Sequence, residues 1–212
     1  MVRIKICGIT KLEDAKLAWE LGAHAIGLNF YTQSPRSLSP AAAADLVDRL
    51  PPFVSPIGVF VNWDAEPVIA LCKALRLSAA QLHGDESAAV VAKVARHLPV
   101  IKVLRLGQGS TPPSFTQYRP ASAYLIDAAQ SNQYGGTGET SNWHLARSAA
   151  QSHRIILAGG LNPDNVAEAI RIVRPYAVDV ASGVESRPGK KDPAKMRAFF
   201  DQVARAARDN NM

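Results

Sequence analysis

The length, composition and charge of the chain exclude several classes of protein. Its 212 residues, 47% of them hydrophobic, suffice for one large core and contain no apolar run long enough to cross a membrane. Two cysteines, Cys7 and Cys72, are too few for a disulfide framework, and no Cys/His cluster has the spacing of a zinc site. The first strand begins at once and leaves no room for a signal peptide, so we expect a cytoplasmic protein without a metal.

The formal net charge of +6 could indicate a nucleic-acid-binding protein. The lysines and arginines are, however, spread along the chain with no interleaved aromatic platform. The densest basic segment, Lys190 to Arg208, has the pattern of an amphipathic helix with an apolar face formed by Met196, Phe199, Phe200 and Val203. We therefore expect a solvated basic face and no nucleic-acid partner. A positive potential that attracts a small anion is the alternative.

Eight short apolar segments alternate with helical patterns along the chain. Strands are predicted at 2–7, 25–30, 57–61, 80–82, 100–104, 124–127, 155–158 and 177–180. Helices are predicted at 12–21, 41–50, 66–75, 87–97, 142–150, 163–173 and 193–207, with mostly loop at 107–120. Strict alternation indicates a parallel α/β sheet, and eight units favour a (β/α)8 TIM barrel, a single domain over residues 1–212. An open doubly wound sheet is the alternative, weakened because no G-x-G-x-x-G follows the first strand.

Local signals predict details of three helices. Thr10 and Glu13 have the spacing of a capping box at the start of the first helix. Asn162 followed by Pro163 has the sequence of an N-cap with proline at the first helical position. Cys72 lies within an apolar helical pattern, which places it in the core.

Two residues at strand ends could carry acid–base chemistry, because the carboxyl ends of the strands form the active-site face of a barrel. Cys7 ends the first strand, and near phosphate-binding dipoles its thiolate would be favoured; an inert, buried thiol is the alternative. Asp127 ends the sixth strand, where a partly desolvated carboxyl group can act as a general acid; a helix cap or a satisfied core carboxylate is the alternative. Such a pair suits proton transfer better than hydrolysis.

Glycines follow the last three predicted strands and could bind phosphate through backbone N–H groups. They are Gly136 and Gly138 after the sixth strand, Gly159 and Gly160 after the seventh, and Gly183, beside Ser182, after the eighth. The loops after strands seven and eight commonly hold phosphate in barrels. Plain turn glycines are the alternative, but three such loops on one rim favour a site for a phosphorylated small molecule.

Three further side chains could contact a substrate at the same rim. Arg36 could clamp a carboxylate in a bidentate manner, or it could be an ordinary surface arginine. His83 could contact substrate or anchor its loop, and Asp179 could line the mouth or cap a turn.

Seven segments together resemble phosphoribosylanthranilate isomerase, an enzyme of tryptophan biosynthesis. They are KICGIT (5–10), SPRS (34–37), GVFVN (58–62), QLHGDE (81–86), GGTG (135–138), LAGGLNPDNV (157–166) and SGVESRPGKKD (182–192). The matches are in order and cover nearly the whole chain. The resemblance implies a (β/α)8 barrel, no cofactor, and conversion of N-(5-phosphoribosyl)anthranilate to 1-(2-carboxyphenylamino)-1-deoxyribulose 5-phosphate by an Amadori rearrangement.

By the same resemblance, Cys7 is the general base and Asp127 the general acid. Arg36 matches the residue that holds the anthranilate carboxylate, and the glycine loops match the phosphate site. Two segments depart from the family: Ser141-Asn142-Trp143 replaces Phe-Asp-Trp, although Asn142 can still cap a helix, and the loop Ala128–Tyr134 lacks a lysine often found there.

Two rival functions stay open at this point. The first is a related sugar-phosphate isomerase of histidine biosynthesis. Resemblance to that family would imply an Asp/Asp acid–base pair, and Cys7 at the end of the first strand argues against it. A non-catalytic phosphosugar-binding barrel, or a nucleic-acid-binding module, would not require Cys7 with Asp127. We expect a monomer or a homodimer that contacts neither membrane nor nucleic acid.

Overall fold

The protein is a closed eight-stranded parallel barrel. The computed structural model describes residues 2–105, 115–127 and 143–209. Neighbouring strands pair in chain order and β8 pairs back onto β1, so the sheet has no open edge and the doubly wound alternative is wrong. The strands are β1 Arg3–Cys7, β2 Ala25–Asn29, β3 Ser55–Phe60, β4 Ala79–Leu82, β5 Val100–Arg105, β6 Ala123–Asp127, β7 Ile155–Leu157 and β8 Ala177–Val180.

Helices connect successive strands and cover the outside of the barrel. They are α1 Leu12–Glu20, α2 Pro40–Asp48, α3 Ala65–Ala74, α4 Ala88–Ala95, α5 Trp143–Ala150, α6 Val166–Val173 and α7 Pro193–Asp209. Each lies within three residues of its predicted bounds. In the part described between β5 and β6, Phe115–Tyr118 form a short 3-10 helix. No helix among the described residues is both long and apolar enough to span a membrane.

The apolar residues form two cores because the side chains of a strand alternate between its faces. Residues pointing outward, such as Ile4 and Ile6 of β1, pack against the helices in the larger core. The barrel interior is filled mainly by small and branched side chains: Ala25, Ile57, Ala79, Ile101, Val103, Ala123, Leu125, Ile156, Ala158 and Ala177. The interior is thus a packed floor beneath the carboxyl ends of the strands.

The C-terminal segment confirms one prediction and corrects another. Met196, Phe199, Phe200 and Val203 of α7 are buried, as its amphipathic pattern indicates. Lys191, however, does not belong to a solvated basic face: it is 1% exposed and lies in a small hairpin, β9 Glu185–Arg187 and β10 Lys190–Lys191, which the sequence patterns did not predict.

Of two predicted helix caps, one is wrong and the other is made ahead of the regular helix. The Thr10 hydroxyl donates to the carbonyl of Gly189 (2.6 Å), and α1 begins without a side-chain cap. The Asn162 side chain accepts from the N–H of Asp164 (2.8 Å) and its carbonyl from the N–H of Val166 (3.1 Å), the bonds of an N-cap, although the regular α6 starts later than predicted, at Val166. Asn142 lies outside the described residues.

The expected core position of Cys72 is confirmed. It is 2% exposed on α3, and burial raises the pKa of its thiol to about 12.

Candidate active site

A cavity lies at the carboxyl ends of the strands, where the barrel rule predicts the active site. Most of the predicted site residues line it together: Cys7, Arg36, His83, Asp127, Gly159, Gly160, Asp179 and Ser182. Gly183 is not among the residues that line it; a Cβ there would come within 1.9 Å of the Leu161 carbonyl oxygen, so this glycine is needed for close backbone packing. Gly136 and Gly138 lie outside the described residues.

Cys7 lies at the end of β1 beside a buried ion pair. The Lys5 ammonium is 2.9 Å from Asp179 Oδ1 and also lies close enough to the Cys7 side chain to interact with it. Burial raises the pKa of the Cys7 thiol, Lys5 lowers it and Asp179 raises it again, with a net rise. The expectation that the thiolate is favoured is therefore wrong in direction for this structure, because desolvation outweighs the neighbouring cations.

His83 and Asp127 meet across the mouth, with Nε2 3.3 Å from Oδ2. The other ring nitrogen, Nδ1, lies 2.9 Å from Nε2 of the fully buried Gln81, two residues earlier on the same face of the chain. With the Gln81 amide nitrogen as donor, Nδ1 is an acceptor, and Nε2 is the ring nitrogen nearest the Asp127 carboxylate. His83 therefore both anchors its loop and borders the cavity.

Arg36 is not an ordinary surface arginine. Its Nε and Nη2 donate to the two carboxylate oxygens of Glu185 at 2.9 and 2.7 Å, and the side chain is 14% exposed. Glu185 also accepts from Lys191 Nζ (3.0 Å). The same ammonium donates to the carbonyls of Cys7 (2.6 Å) and Ala181 (3.0 Å), so this cluster ties the end of β1 to the segment after β8.

The loops after β3 and β4 depend on a second buried ion pair. Lys102 Nζ is 2.6 Å from Glu86 Oε2 and donates to the carbonyls of Leu82 and Gly84. Glu86 Oε1 accepts from the backbone N–H groups of Asn62 (3.0 Å) and Gly84 (2.9 Å). These bonds hold the loop that carries His83.

The loop after β7 presents two glycines with left-handed backbone. Gly159 and Gly160 have φ of 78° and 67°, a region that glycine adopts without strain. Asn165 Nδ2 donates to the Gly160 carbonyl (2.9 Å), and this hydrogen bond stabilises the loop. Both glycines border the cavity, as expected of a loop that approaches an anion closely.

Sequence reasoning assigned no role to five charged residues that shape the site: Lys5, Glu86, Lys102, Glu185 and Lys191. Lys5 and Lys102 did carry a signal, because each is a charged residue inside an otherwise apolar strand. Lys5 also shares the strand face of Cys7, two positions away. No group of three or more acidic, histidine or cysteine side chains suited to a metal occurs in the described ranges.

The cavity therefore brings together a thiol, a carboxylic acid and glycine loops, the groups needed to move protons on a bound anion. Residues 4–202 match the family model described as N-(5'-phosphoribosyl)anthranilate isomerase. The chain belongs to this family. It catalyses the aldose–ketose isomerisation of N-(5-phosphoribosyl)anthranilate to 1-(2-carboxyphenylamino)-1-deoxyribulose 5-phosphate in tryptophan biosynthesis, and the related isomerase of histidine biosynthesis is not favoured.

Individual members of the family match over nearly their whole length. The isomerase of Pelobacter propionicus is 48% identical over 211 residues, covering 100% of this chain and 99% of its own. The crystal structure of the Thermus thermophilus isomerase has a TM-score of 0.88 at 43% identity, covering 96% of this chain and 99% of its own. A further isomerase structure, in complex with reduced 1-(o-carboxyphenylamino)-1-deoxyribulose 5-phosphate, has a TM-score of 0.84 at 40% identity with the same coverage.

Proposed function

We propose that Cys7 and Asp127 are the general base and the general acid of the isomerisation. Asp127 protonates the furanose ring oxygen, and the bond from that oxygen to C1 breaks to leave a Schiff base. The Cys7 thiolate then removes the C2 proton, and the resulting enolamine tautomerises to the ketose. One proton must return from Cys7 to Asp127, through solvent, before the next cycle. The observation that supports this assignment is that both residues line one cavity from β1 and β6.

Arg36 is proposed to bind the anthranilate carboxylate. Its Nε–Nη2 edge is occupied by Glu185, which leaves the Nη1–Nη2 edge to form a second pair of hydrogen bonds with the substrate. Glu185 would thus hold the guanidinium plane fixed while the opposite edge faces the cavity that Arg36 lines.

The substrate phosphate is proposed to bind the backbone N–H groups at Gly159, Gly160, Ser182 and Gly183, with Gly136 and Gly138 contributing from the sixth loop. The left-handed turn at Gly159 and Gly160 supports this assignment. His83 and Asp179 would contact the sugar between the phosphate and carboxylate sites, because both line the same cavity.

Turnover of purified protein tests the two catalytic roles. N-(5-phosphoribosyl)anthranilate is mixed with the protein in the presence of EDTA, since we expect turnover without a metal. Cys7→Ser and Asp127→Asn should each lower kcat by about 10²–10⁴-fold, the usual contribution of a positioned acid or base. Cys72→Ala removes the other thiol, far from the cavity on α3, and should keep turnover. Near-normal kcat in either site variant would show that its residue has another role.

We further propose that two copies of the chain form a dimer through the N-terminal face of the barrel. Phe53 is 95% exposed at the rim of a 410 Å³ cavity on that face, whose floor includes Ile57, Ile101 and Ile156. In a two-fold dimer, each Phe53 can enter the cavity of the other copy. A Thermotoga maritima relative, 38% identical with a TM-score of 0.84, is described as dimeric. The mass of the protein in solution tests this proposal.

A cytoplasmic location is also proposed. Both cysteines are free thiols, which suits a reducing compartment. Fractionation of cells into cytosol, membrane and exported protein tests it; recovery outside the cytosol would contradict it.

A further inference from the structure

Lys5 occupies an unusual place, in the interior of the barrel directly below the cavity. It is the central residue of β1 and is 3% exposed, with Ile4 and Ile6 pointing the other way into the outer core. A buried ammonium is costly unless it is paired. Its partner is Asp179, the residue opposite it on β8, at 2.9 Å. The ion pair therefore explains how Lys5 can be buried, but not why a lysine is needed there.

The space above Gly27 brings the Lys5 ammonium and the Cys7 thiol together. Gly27 is the residue opposite Cys7 on β2. A Cβ at this position would lie 2.7 Å from Cys7 Sγ and 3.0 Å from Lys5 Nζ, so both groups occupy the volume that a side chain would fill. Attraction between the two groups lowers the pKa of Cys7 and raises that of Lys5. The missing side chain at Gly27 thus leaves room for the ammonium beside the sulfur.

We propose that Lys5 is the counter-ion of the Cys7 thiolate and activates it as the base of the isomerisation. Lys5 acts through Cys7 and does not itself line the cavity, so it is a positioning residue. This inference rests on the proposed role of Cys7. It adds a cause for that role, since the strand that supplies the thiol also supplies, two residues earlier, the positive charge that opposes the effect of burial on its ionisation.

The charges around the thiol show why Lys5 is needed. Burial and Asp179 both raise the pKa of Cys7, whereas Lys5 is the largest influence that lowers it, followed by Lys191 from the hairpin. Arg36, from the loop after β2, also interacts with the thiol, and His83 and Asp127 face it across the cavity. Without Lys5, burial and Asp179 would be opposed mainly by Lys191, so the thiol would ionise only at higher pH.

Lys5 itself stays charged in this position. Burial lowers its pKa, but attraction to Asp179 and then to Cys7 outweighs burial and raises it. Asp179 therefore has two effects: it keeps the ammonium protonated, and its own charge disfavours the thiolate. The balance between these effects requires Lys5 to lie beside both groups, as it does above Gly27.

Lys5→Met, which keeps the length of the side chain and removes its charge, tests the proposal. In a Cys72→Ala background, Cys7 is the only thiol, and its ionisation can be followed by ultraviolet absorbance and by the pH dependence of alkylation with iodoacetamide. We expect the pKa of Cys7 to rise by about one to three pH units, the usual effect of removing an adjacent opposite charge. The acidic limb of kcat/KM, which reports ionisation of the base in the free enzyme, should shift by the same amount, with little change in KM.

Lys102→Met is the matched control, because it removes another buried lysine, one that is paired with Glu86. It should leave the pKa of Cys7 unchanged. An unchanged Cys7 titration in folded Lys5→Met would overturn the proposal. A shifted titration, together with normal turnover of Cys7→Ser, would instead contradict Cys7 as the base while leaving its coupling to Lys5 intact.

A second measurement does not depend on the folding of the lysine variant. In wild-type protein labelled with ¹³C at the lysine ε-carbon, ionisation of Cys7 should change the chemical shift of the Lys5 signal as the pH is raised. This titration step should be absent in Cys7→Ser. A titration of lysine signals that is identical in the two proteins would overturn the proposal.

Discussion

At the scale of single residues, Arg36 shows how a side chain can serve two partners. The sequence alone left it equally consistent with a substrate clamp and with a surface residue. Its bidentate pairing with Glu185 removes the second interpretation. The guanidinium has five donors in a rigid plane, so one edge can be held by the protein while the other recognises a carboxylate.

Arg36→Ala should chiefly weaken substrate binding, because it removes charge-assisted hydrogen bonds of about 1.5–3 kcal/mol each. Two such bonds correspond to about 3–6 kcal/mol, so we expect kcat/KM to fall by about 10²–10⁴-fold, mostly through KM, in steady-state kinetics. Arg49→Ala is the control, since Arg49 pairs with Asp45 on the exposed face of α2 and lies far from the site. If Arg36→Ala keeps a normal KM, Arg36 only supports Glu185.

At the scale of elements, the carboxyl ends of the strands are organised by buried lysines that reach backbone carbonyls. Lys102 on β5 donates to the carbonyls of Leu82 and Gly84 and pairs with Glu86. Glu86 in turn accepts a hydrogen bond from the N–H of Asn62. The loops after β3 and β4 therefore behave as one unit, with His83 between them.

Glu86→Gln should destabilise the protein strongly, because it leaves the buried Lys102 ammonium without its counter-ion. Removing one partner of a buried pair typically costs about 3–5 kcal/mol in the free energy of unfolding. Urea unfolding, followed by circular dichroism, measures this loss. Glu66→Gln, which breaks the exposed pair with Lys93, should leave the urea midpoint unchanged. Equal effects of the two variants would show that Lys102 finds another partner.

At the scale of the whole molecule, the first and last strands of the barrel and the segments that follow them are joined by polar contacts as well as by β1–β8 pairing. Lys191 donates to the carbonyl of Cys7, 184 residues away in sequence, and its N–H donates to Asp14 (3.0 Å). Thr10 reaches Gly189 across 179 residues. The hairpin that precedes α7 therefore closes the barrel on its active-site side, where Cys7 and Arg36 depend on it.

The proposed dimer makes a prediction about the opposite face. Wild-type protein should have the mass of two chains in light scattering coupled to size-exclusion chromatography, and Phe53→Lys should have the mass of one. A lysine placed in the cavity of the partner would be desolvated and would face Arg3 and Arg154, which disfavours association. Phe53→Leu, which stays apolar, is the control and should remain a dimer. A wild-type mass of one chain would contradict the proposal.

The sequence by itself determined the number and order of the barrel strands and of the helices between them, and the residues at the strand ends. Periodicity and turn residues depend on neighbours along the chain, so eight β-α units, and Cys7 and Asp127 at two strand ends, could be predicted without a structure. The resemblance of seven segments to a known family then indicated the reaction. The residue roles in catalysis and binding stay predictions for the experiments above.

Only the tertiary structure decided which charges are buried and what they contact. Thr10 has the local pattern of a helix cap, yet its hydroxyl binds Gly189; Lys191 lies in a basic run, yet it is buried against Cys7 and Glu185. These partners are brought together by closure of the barrel, across 149 residues for Arg36 and Glu185. Local sequence patterns carry no information about such distant neighbours, and the free energy of a buried charge depends on whether those neighbours offset its desolvation.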